Sequence, residues 1–366
     1  MALYHRKVSK KGKQANLKAQ RKMKRSLPLS RRKPKDVGES VSTPLCRSLS
    51  KWSSTADETK KQLHGLLAKL GAVGAPTILF QLMTFIFLGM GPIEESLNCV
   101  EYFAGEQAVT TAWAEHGFAA CPFEIRLNPL ADILSTKGFV LALLMSIMLK
   151  DGGFAMIATV CSTWVFVNRA TSRRSIWSPL GDISVKSVAA GNEMVSRMAL
   201  ILWVLEAKKS FWLYEQPQTS LLWEHPRMQS FLKSNIVYKT HMWMGSYGGL
   251  SPKGTHLWAP CEQVSKFSLP LPQKEWDHQL VAKKVLPDGS VQVTGNGALK
   301  QSQAYPKQFG KATVCVWLNT PCRTFSTNYE KASTKKIPSF WKGNMDKWAD
   351  ANLSDVMQFL SLGTLK

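Results

Sequence analysis

Four residues of chemically useful type stand where strands are expected to end: Gly105, Glu124, Cys161 and Glu215. A strand-end thiol followed closely by Arg169, Arg173 and Arg174 sits in the surroundings that lower a thiol pKa and make a nucleophile. A carboxylate at the next strand end, Glu215 in YEQP, can bond to a substrate or protonate it. The three arginines can hold phosphates. Upstream, Phe103-Ala104-Gly105 forms a small-residue turn from strand into helix, which sets backbone N–H groups beside a ligand. Glu124 follows Gly105 by nineteen residues, the offset at which an acid accepts hydrogen bonds from ribose hydroxyls. That pair signals a cofactor with an adenosine half. Each feature alone has a plainer reading. Cys161 reads as a buried structural thiol, Glu215 as a surface acid before a proline turn, the arginines as a solvated loop, and Gly105 with Glu124 as an ordinary βα unit. Their order along one chain favours the chemical reading.

The elements that must position these residues alternate. Leu97 to Tyr102 reads as a buried strand, and the helix after Gly105 carries Ala108, Ala112 and Trp113. Ala119 to Phe123 is an apolar run that ends at Glu124. Phe139 to Leu149 reads as a buried helix, and Phe154 to Val160 as a β-branched run that ends at Cys161. A helix follows from Asn192 to Lys209, then strands at Phe211 to Tyr214, Ile236 to Met244 and Thr255 to Trp258. Strands alternating with helices predict a parallel or mostly parallel sheet covered on both faces. Residues that follow successive strands then gather at its carboxyl edge, where ligands bind.

The net charge of +22 on 366 residues is concentrated at one end. Residues 1–35 hold fourteen Lys or Arg and no acid, which is +14 of the total. Such an arm is expected to be disordered and to bind polyanions. KKGKQANLKAQRKMKR followed by SRRKPK has the character of a nuclear import signal, with an acid-poor organelle presequence as the alternative. The seven cysteines form no CxxC pair, so neither a disulfide framework nor a metal site is expected. Leu70 to Ile93 carries no charge and is long enough to span a bilayer. Pro76, Gln81 and Thr84 interrupt it, so it is expected to dock on the domain, with a membrane span as the alternative. The chain divides into a disordered basic arm (1–55), a helical and apolar segment (56–94), a folded domain (95–330) and a C-terminal extension (331–366).

Taken in chain order, these segments resemble the DNA (cytosine-5) methyltransferase family. YFAGEQAVTTAWAEHGF is similar to its cofactor motif, Phe123-Glu124 to the ribose-binding acid, and Asp132 in ADI to the acid near the adenine ring. ATVCSTW resembles the nucleophile motif and YEQP the strand-end glutamate motif. MGSYGGLSPKGTHLW resembles the later strand-turn-strand with its basic residue, here Lys253. The resemblance covers about residues 97–260 and is closest to short, divergent members carried by phages and mobile elements, including those of dinoflagellate genomes. Three positions depart from the family pattern. Gln107 replaces the second cofactor glycine, Val160 replaces the proline before the nucleophile, and the arginine-rich motif is reduced to Lys253. No segment has the length of a full target-recognition domain, although 260–310 is a candidate for a small substitute.

The resemblance implies a doubly wound, Rossmann-like α/β methyltransferase domain behind the disordered arm; from the basic arm and the cysteine pattern the protein is expected in the nucleus and without metal, and it is expected to be a monomer. It implies S-adenosyl-L-methionine as cofactor, at Phe103, Ala104, Gly105, Glu124 and Asp132. It implies Cys161 as the nucleophile that adds to ring carbon 6 of a flipped cytosine in DNA, with RNA as the alternative, and Glu215 as the residue against the base. Arg169, Arg173, Arg174 and Lys253 would touch the nucleic acid. Two other functions fit the same sequence: a catalytically degenerate, nucleic-acid-binding member, and a membrane-anchored protein with another substrate.

Overall fold

A computed structural model of the protein describes residues 43–274, 276, 281–289, 291–295 and 297–320. The basic stretch 1–35 and the extension 331–366 lie outside the described residues. The helix expected from Ala56 begins earlier, at Thr43, and runs to Ala72 (α1). Proline is tolerated in a helix's first turn, so Pro44 does not oppose that start. Residues 43–55, read from sequence as part of the arm, belong to this helix.

The body is an α/β structure on a six-stranded mixed sheet of order β2-β1-β3-β4-β6-β5, compatible with a Rossmann-like fold. The strands are β1 (Leu97–Tyr102), β2 (Ala120–Phe123), β3 (Leu149–Ile157), β4 (Phe211–Pro217), β5 (Tyr238–Trp243) and β6 (Gly254–Ala259). The first four are parallel, while β6 is antiparallel to both β4 and β5. A separate antiparallel pair, β7 (Val281–Val285) and β8 (Val291–Gly295), lies within the segment read as a small substitute for target recognition.

The central strands are apolar on both faces, as strands covered by helices must be. Val100, Tyr102, Ala155, Ile157, Trp212 and Tyr214 join one core. Cys99, Phe154, Met156, Phe211 and Leu213 join the other. Two helices, α4 (Thr136–Met148) and α6 (Lys186–Ala207), pack in the first core. With them is α2 (Thr77–Met90), whose Leu79, Leu82, Met83, Ile86 and Phe87 form one buried stripe at helical spacing. At 14 residues this helix is about 21 Å long, short of a hydrocarbon core of about 30 Å. The second core receives α3 (Ala108–Glu115) and α9 (Lys307–Leu318). Between them in sequence lie α5 (Arg169–Ser172), α7 (Pro226–Ser234) and α8 (Gly297–Gln301).

Ion pairs close the amino edge of the sheet. Buried Lys208 reaches Glu95 at 2.6 Å and Asp151 at 3.6 Å, and Lys69 of α1 reaches Asp151 at 2.7 Å. The carboxyl edge is left for the site.

Two of the strand limits that differ from expectation bear on the site, while β3 also begins earlier, at Leu149. β3 ends at Ile157, so Val160 and Cys161 lie in the following loop. The chain leaves the ladder because Thr159 turns to β4. Its hydroxyl shares a 2.6 Å hydrogen bond with that of Tyr214, and its carbonyl accepts from Gln216 Nε2 at 2.7 Å. Glu215 lies inside β4 instead of after it, because the antiparallel β6 extends the pairing and sets Leu257 opposite it.

At the seam between α3 and α9 a glycine lets the two helices approach closely. A Cβ on Gly310 would fall 2.2 Å from the Ala108 carbonyl oxygen. Gly310→Ala is expected to destabilise the fold by about 1–3 kcal/mol through overpacking. Gly65→Ala, with nothing within 4 Å, should be neutral or slightly stabilising. Urea denaturation of both variants checks the contrast, and equal midpoints would show that the seam can relax.

Candidate functional site at the carboxyl edge

The loop after β1 is backbone-strained. Phe103, Gly105 and Gln107 all have left-handed φ, at 61°, 54° and 59°. Only Gly105 adopts this without cost. The loop is held by β2, because Phe103 N donates to the Phe123 carbonyl at 2.8 Å and Gly105 N donates to Glu124 Oε2 at 3.0 Å. The sequence-derived pair is therefore in direct contact. Arg126 completes it, with its backbone N at 3.1 Å and Nε at 3.2 Å from Glu124 Oε1, while Nη1 reaches Glu106 at 3.4 Å. Burial opposes ionisation of Glu124, and the hydrogen bonds from Gly105 and Arg126 more than offset it, holding the carboxyl below its ordinary value. Asp132 stands before α4, where its Oδ1 accepts from Leu134 N at 2.9 Å.

A second acid serves this loop from inside the sheet. Glu101 of β1 is fully buried and accepts from Thr110 N at 2.7 Å, Thr110 Oγ1 at 2.6 Å and Val109 N at 3.4 Å. It thus caps the first turn of α3, where the helix dipole favours negative charge. Desolvation nevertheless pushes its pKa up to about 7. An acid inside the apolar run NCVEY is itself a signal, because unpaired carboxylates are almost never fully buried.

The structure brings Cys161, Glu215 and Lys253 together and adds Tyr305. The Tyr305 hydroxyl donates to Glu215 Oε2 at 3.0 Å. Lys253 Nζ stands 3.4 Å from Glu215 Oε1 and 5.8 Å from the Tyr305 ring centre. That Lys–Glu contact lacks hydrogen-bond alignment, so buried Oε1 has no hydrogen-bond partner. Burial and the charges of Glu215, Glu101 and Cys161 raise the Tyr305 pKa well above its ordinary value, so it remains a neutral donor. Nothing local to SQAYPKQF marks Tyr305, which lies 90 residues from its partner.

The thiol is not the activated one that the nearby arginines suggest. Burial first, then the Glu215 charge, push the Cys161 pKa up to about 11, against the opposing Lys253. The arginines are placed elsewhere. Arg174 is buried and donates to Thr163 O (2.9 Å), Thr163 Oγ1 (3.3 Å), Pro179 O (2.6 Å), Val188 O (3.1 Å) and Asn192 Oδ1 (2.7 Å). A guanidinium has about five N–H donors, so none remains for a phosphate. Its carbon also lies 3.4 Å from the Trp164 ring centre. Arg174 thus braces the loop instead of binding nucleic acid. Arg169 lies 4.9 Å over the Phe166 ring, and Arg173, largely exposed, stands 3.6 Å from Asp182.

The arrangement gathers a buried thiol, a carboxylate, a phenol and an ammonium at one end of the sheet. It offers an open buried carboxylate oxygen at Glu215, a cation at Lys253 and a nearby sulfur. Among the described residues no cluster of His, Cys, Asp and Glu could hold a metal ion. Comparison with known proteins gives no matching family model and no matching curated protein.

The raised thiol pKa has a kinetic signature. Alkylation of Cys161 by iodoacetamide, followed by peptide mass spectrometry, should be about a hundredfold slower at pH 8 than for an unperturbed thiol. It should rise about tenfold per pH unit without a plateau below pH 9.5. Glu215→Gln removes the charge that raises the pKa and should accelerate the reaction. A plateau near pH 8 in the wild type would contradict the burial-dominated thiol.

Proposed function

We propose that this protein is an S-adenosyl-L-methionine-dependent methyltransferase-type domain acting on cytosine in DNA. The observation that carries the reading is the meeting of Cys161, Glu215 and Lys253 at the carboxyl ends of two adjacent parallel strands, at the same edge of the sheet as the linked Gly105–Glu124 pair. These are the residues that the family resemblance assigns to nucleophile, base and cofactor.

The cofactor-side residues fit the adenosine half. Glu124 is a largely buried carboxylate at a strand end, directly bonded to the N–H of Gly105. It would accept from the ribose hydroxyls once the Arg126 side chain moves aside. Phe103 to Gly105 would supply backbone beside the cofactor, and Asp132 the adenine side. The bound cofactor supplies an electrophilic methyl group.

On the substrate side, the Cys161 thiol would give its proton to solvent and the thiolate would add to ring carbon 6 of a cytosine turned out of its stack as the 5,6 double bond opens; carbon 5 would then take the methyl group and lose its proton, and the double bond would re-form as the thiolate leaves. Glu215 Oε1 is the open acceptor for an amino or protonated ring nitrogen of the base. Addition places charge on the ring, and Glu215 stabilises it by hydrogen bonding or proton transfer. Tyr305 positions Glu215 from behind through its 3.0 Å bond. Lys253 offsets the negative charge next to the thiol and so makes the thiolate accessible during the reaction.

A second reading, a domain that binds nucleic acid without turnover, also has observations in its favour. Arg126 closes on Glu124, left-handed Gln107 fills the position of the family's second glycine, and the resting thiol lies near 11.

Two measurements separate them. Calorimetric titration with S-adenosyl-L-methionine should show binding that Glu124→Ala weakens by about 1–3 kcal/mol through lost charged hydrogen bonds. Absence of heat at millimolar cofactor would sink the cofactor assignment. Incubation with DNA containing 5-fluorocytosine should then give a cofactor-dependent, denaturant-stable adduct, abolished in Cys161→Ser. Cofactor binding without an adduct would select the non-catalytic reading.

A further inference from the structure

The loop that follows Cys161 exposes an unusual set of side chains. Phe166 is 61% exposed, Val167 70%, Ile176 58% and Trp177 90%, and Val160, directly before the cysteine, is half exposed. Such concentrations of large apolar groups on one surface segment mark interaction sites. The segment is not slack. Arg174 ties Thr163, Pro179, Val188 and Asn192 together and lies on the buried Trp164 ring. Trp164 O in turn accepts from Leu221 N at 3.0 Å, which joins this loop to the one after β4. Phe166 and Val167 therefore project from one turn, and Ile176 and Trp177 from another, both pinned by a single guanidinium. The fold holds these rings in water instead of letting them collapse onto the body.

The charge of the segment chooses its partner. Residues 160–186 contain Arg169, Arg173, Arg174 and Lys186 against one acid, Asp182. With Arg174 internal, Arg169 and Arg173 flank the exposed rings. Arg169 lies against the Phe166 face, and its buried Nε has no hydrogen-bond partner. Asp182 accepts from the Ser184 hydroxyl at 2.6 Å and stands 3.6 Å from Arg173. Exposed aromatic rings among cations, with no free acid, match single-stranded nucleic acid, in which unstacked bases meet rings and phosphates meet arginines. A neutral protein partner would leave Arg169 without counter-charge, and the lone Asp182 beside Arg173 leaves the segment net positive.

We propose that the loop 160–186 is a stacking platform for unpaired nucleobases, with Trp177 and Phe166 as the base-contacting residues and Arg169 and Arg173 as the phosphate contacts. It rests on the preceding functional reading only in that the strand-end site faces nucleic acid, and it requires no methyl transfer. The platform would hold a strand whose bases are already out of the duplex next to Cys161.

The test compares full-length wild type, Trp177→Ala and Phe166→Ala for binding to fluorescein-labelled oligothymidylate and to an abasic strand with the same number of phosphates. The abasic strand reports the phosphate-only binding to which the basic arm contributes, so the difference between the two strands isolates the bases. Wild type should prefer the base-bearing strand by about fivefold or more. Trp177→Ala should lose most of that preference with an unchanged melting temperature, and Trp177→Phe should keep part of it. Arg173→Gln should lower the salt slope for both strands. Equal binding of both strands by wild type, or an undiminished preference in both alanine variants, overturns the proposal. So does a Trp177-dependent dimer or vesicle association with no effect on strand preference. Missing cofactor heat or a missing 5-fluorocytosine adduct with an intact base preference removes the methyltransferase reading and leaves the platform standing.

Discussion

The parallel register of β1, β3 and β4 is the constraint on which the site depends. Tyr102, Ile157 and Tyr214 stand in line across these strands. The two phenols lock the line from within the core, Tyr102 to Ser146 Oγ at 2.7 Å and Tyr214 to Thr159 at 2.6 Å. Burial drives both phenols far above their ordinary pKa, so they act only as neutral hydrogen-bonding groups. A slip of one residue would turn each tyrosine to the opposite face and expel its hydroxyl from its partner. With the line fixed, the loop after β1 and the residues just past β3 and β4 must open at one edge.

Electrostatics at that edge is a balance among buried groups. Glu101 is used for the helix cap of α3, and Glu215 is shared between a phenol and an amine. Cys161 lies in the field of Glu215 and Lys253 together. Breaking a buried charged pair by removing one partner costs far more than the pair itself gains. Lys253 and Glu215 are therefore coupled in stability as well as in chemistry. The same coupling makes the resting thiol sluggish and ties its reactivity to whatever neutralises Glu215.

The loop after Cys161 shows how one residue type serves opposite ends. The local sequence offers three arginines of equal standing. Packing sorts them: Arg174 is drawn inside against Trp164, where desolvation lowers its pKa to about 10, while Arg169 and Arg173 stay outside. Internal bracing and outward presentation are parts of one arrangement, because the pinned turns hold Phe166 and Trp177 in solvent.

The sequence by itself determined the parts governed by near neighbours. The apolar runs of Leu97 to Tyr102 and Phe211 to Tyr214 define buried strands, the interruption of Leu70 to Ile93 by Pro76, Gln81 and Thr84 defines a docked segment, and the offset between Gly105 and Glu124 defines a contact that the structure contains. These follow from backbone geometry, whose periods of about 2 and 3.6 residues are readable in a short window. Tertiary structure alone decided the rest. Tyr305 reaches Glu215 only because α9 returns to pack on α3 across the second core. Which arginine is buried depends on where Trp164 lies, and the thiol pKa depends on how much water the folded loops exclude. Partner choice and desolvation are sums over distant segments, and no local pattern of residues carries that sum.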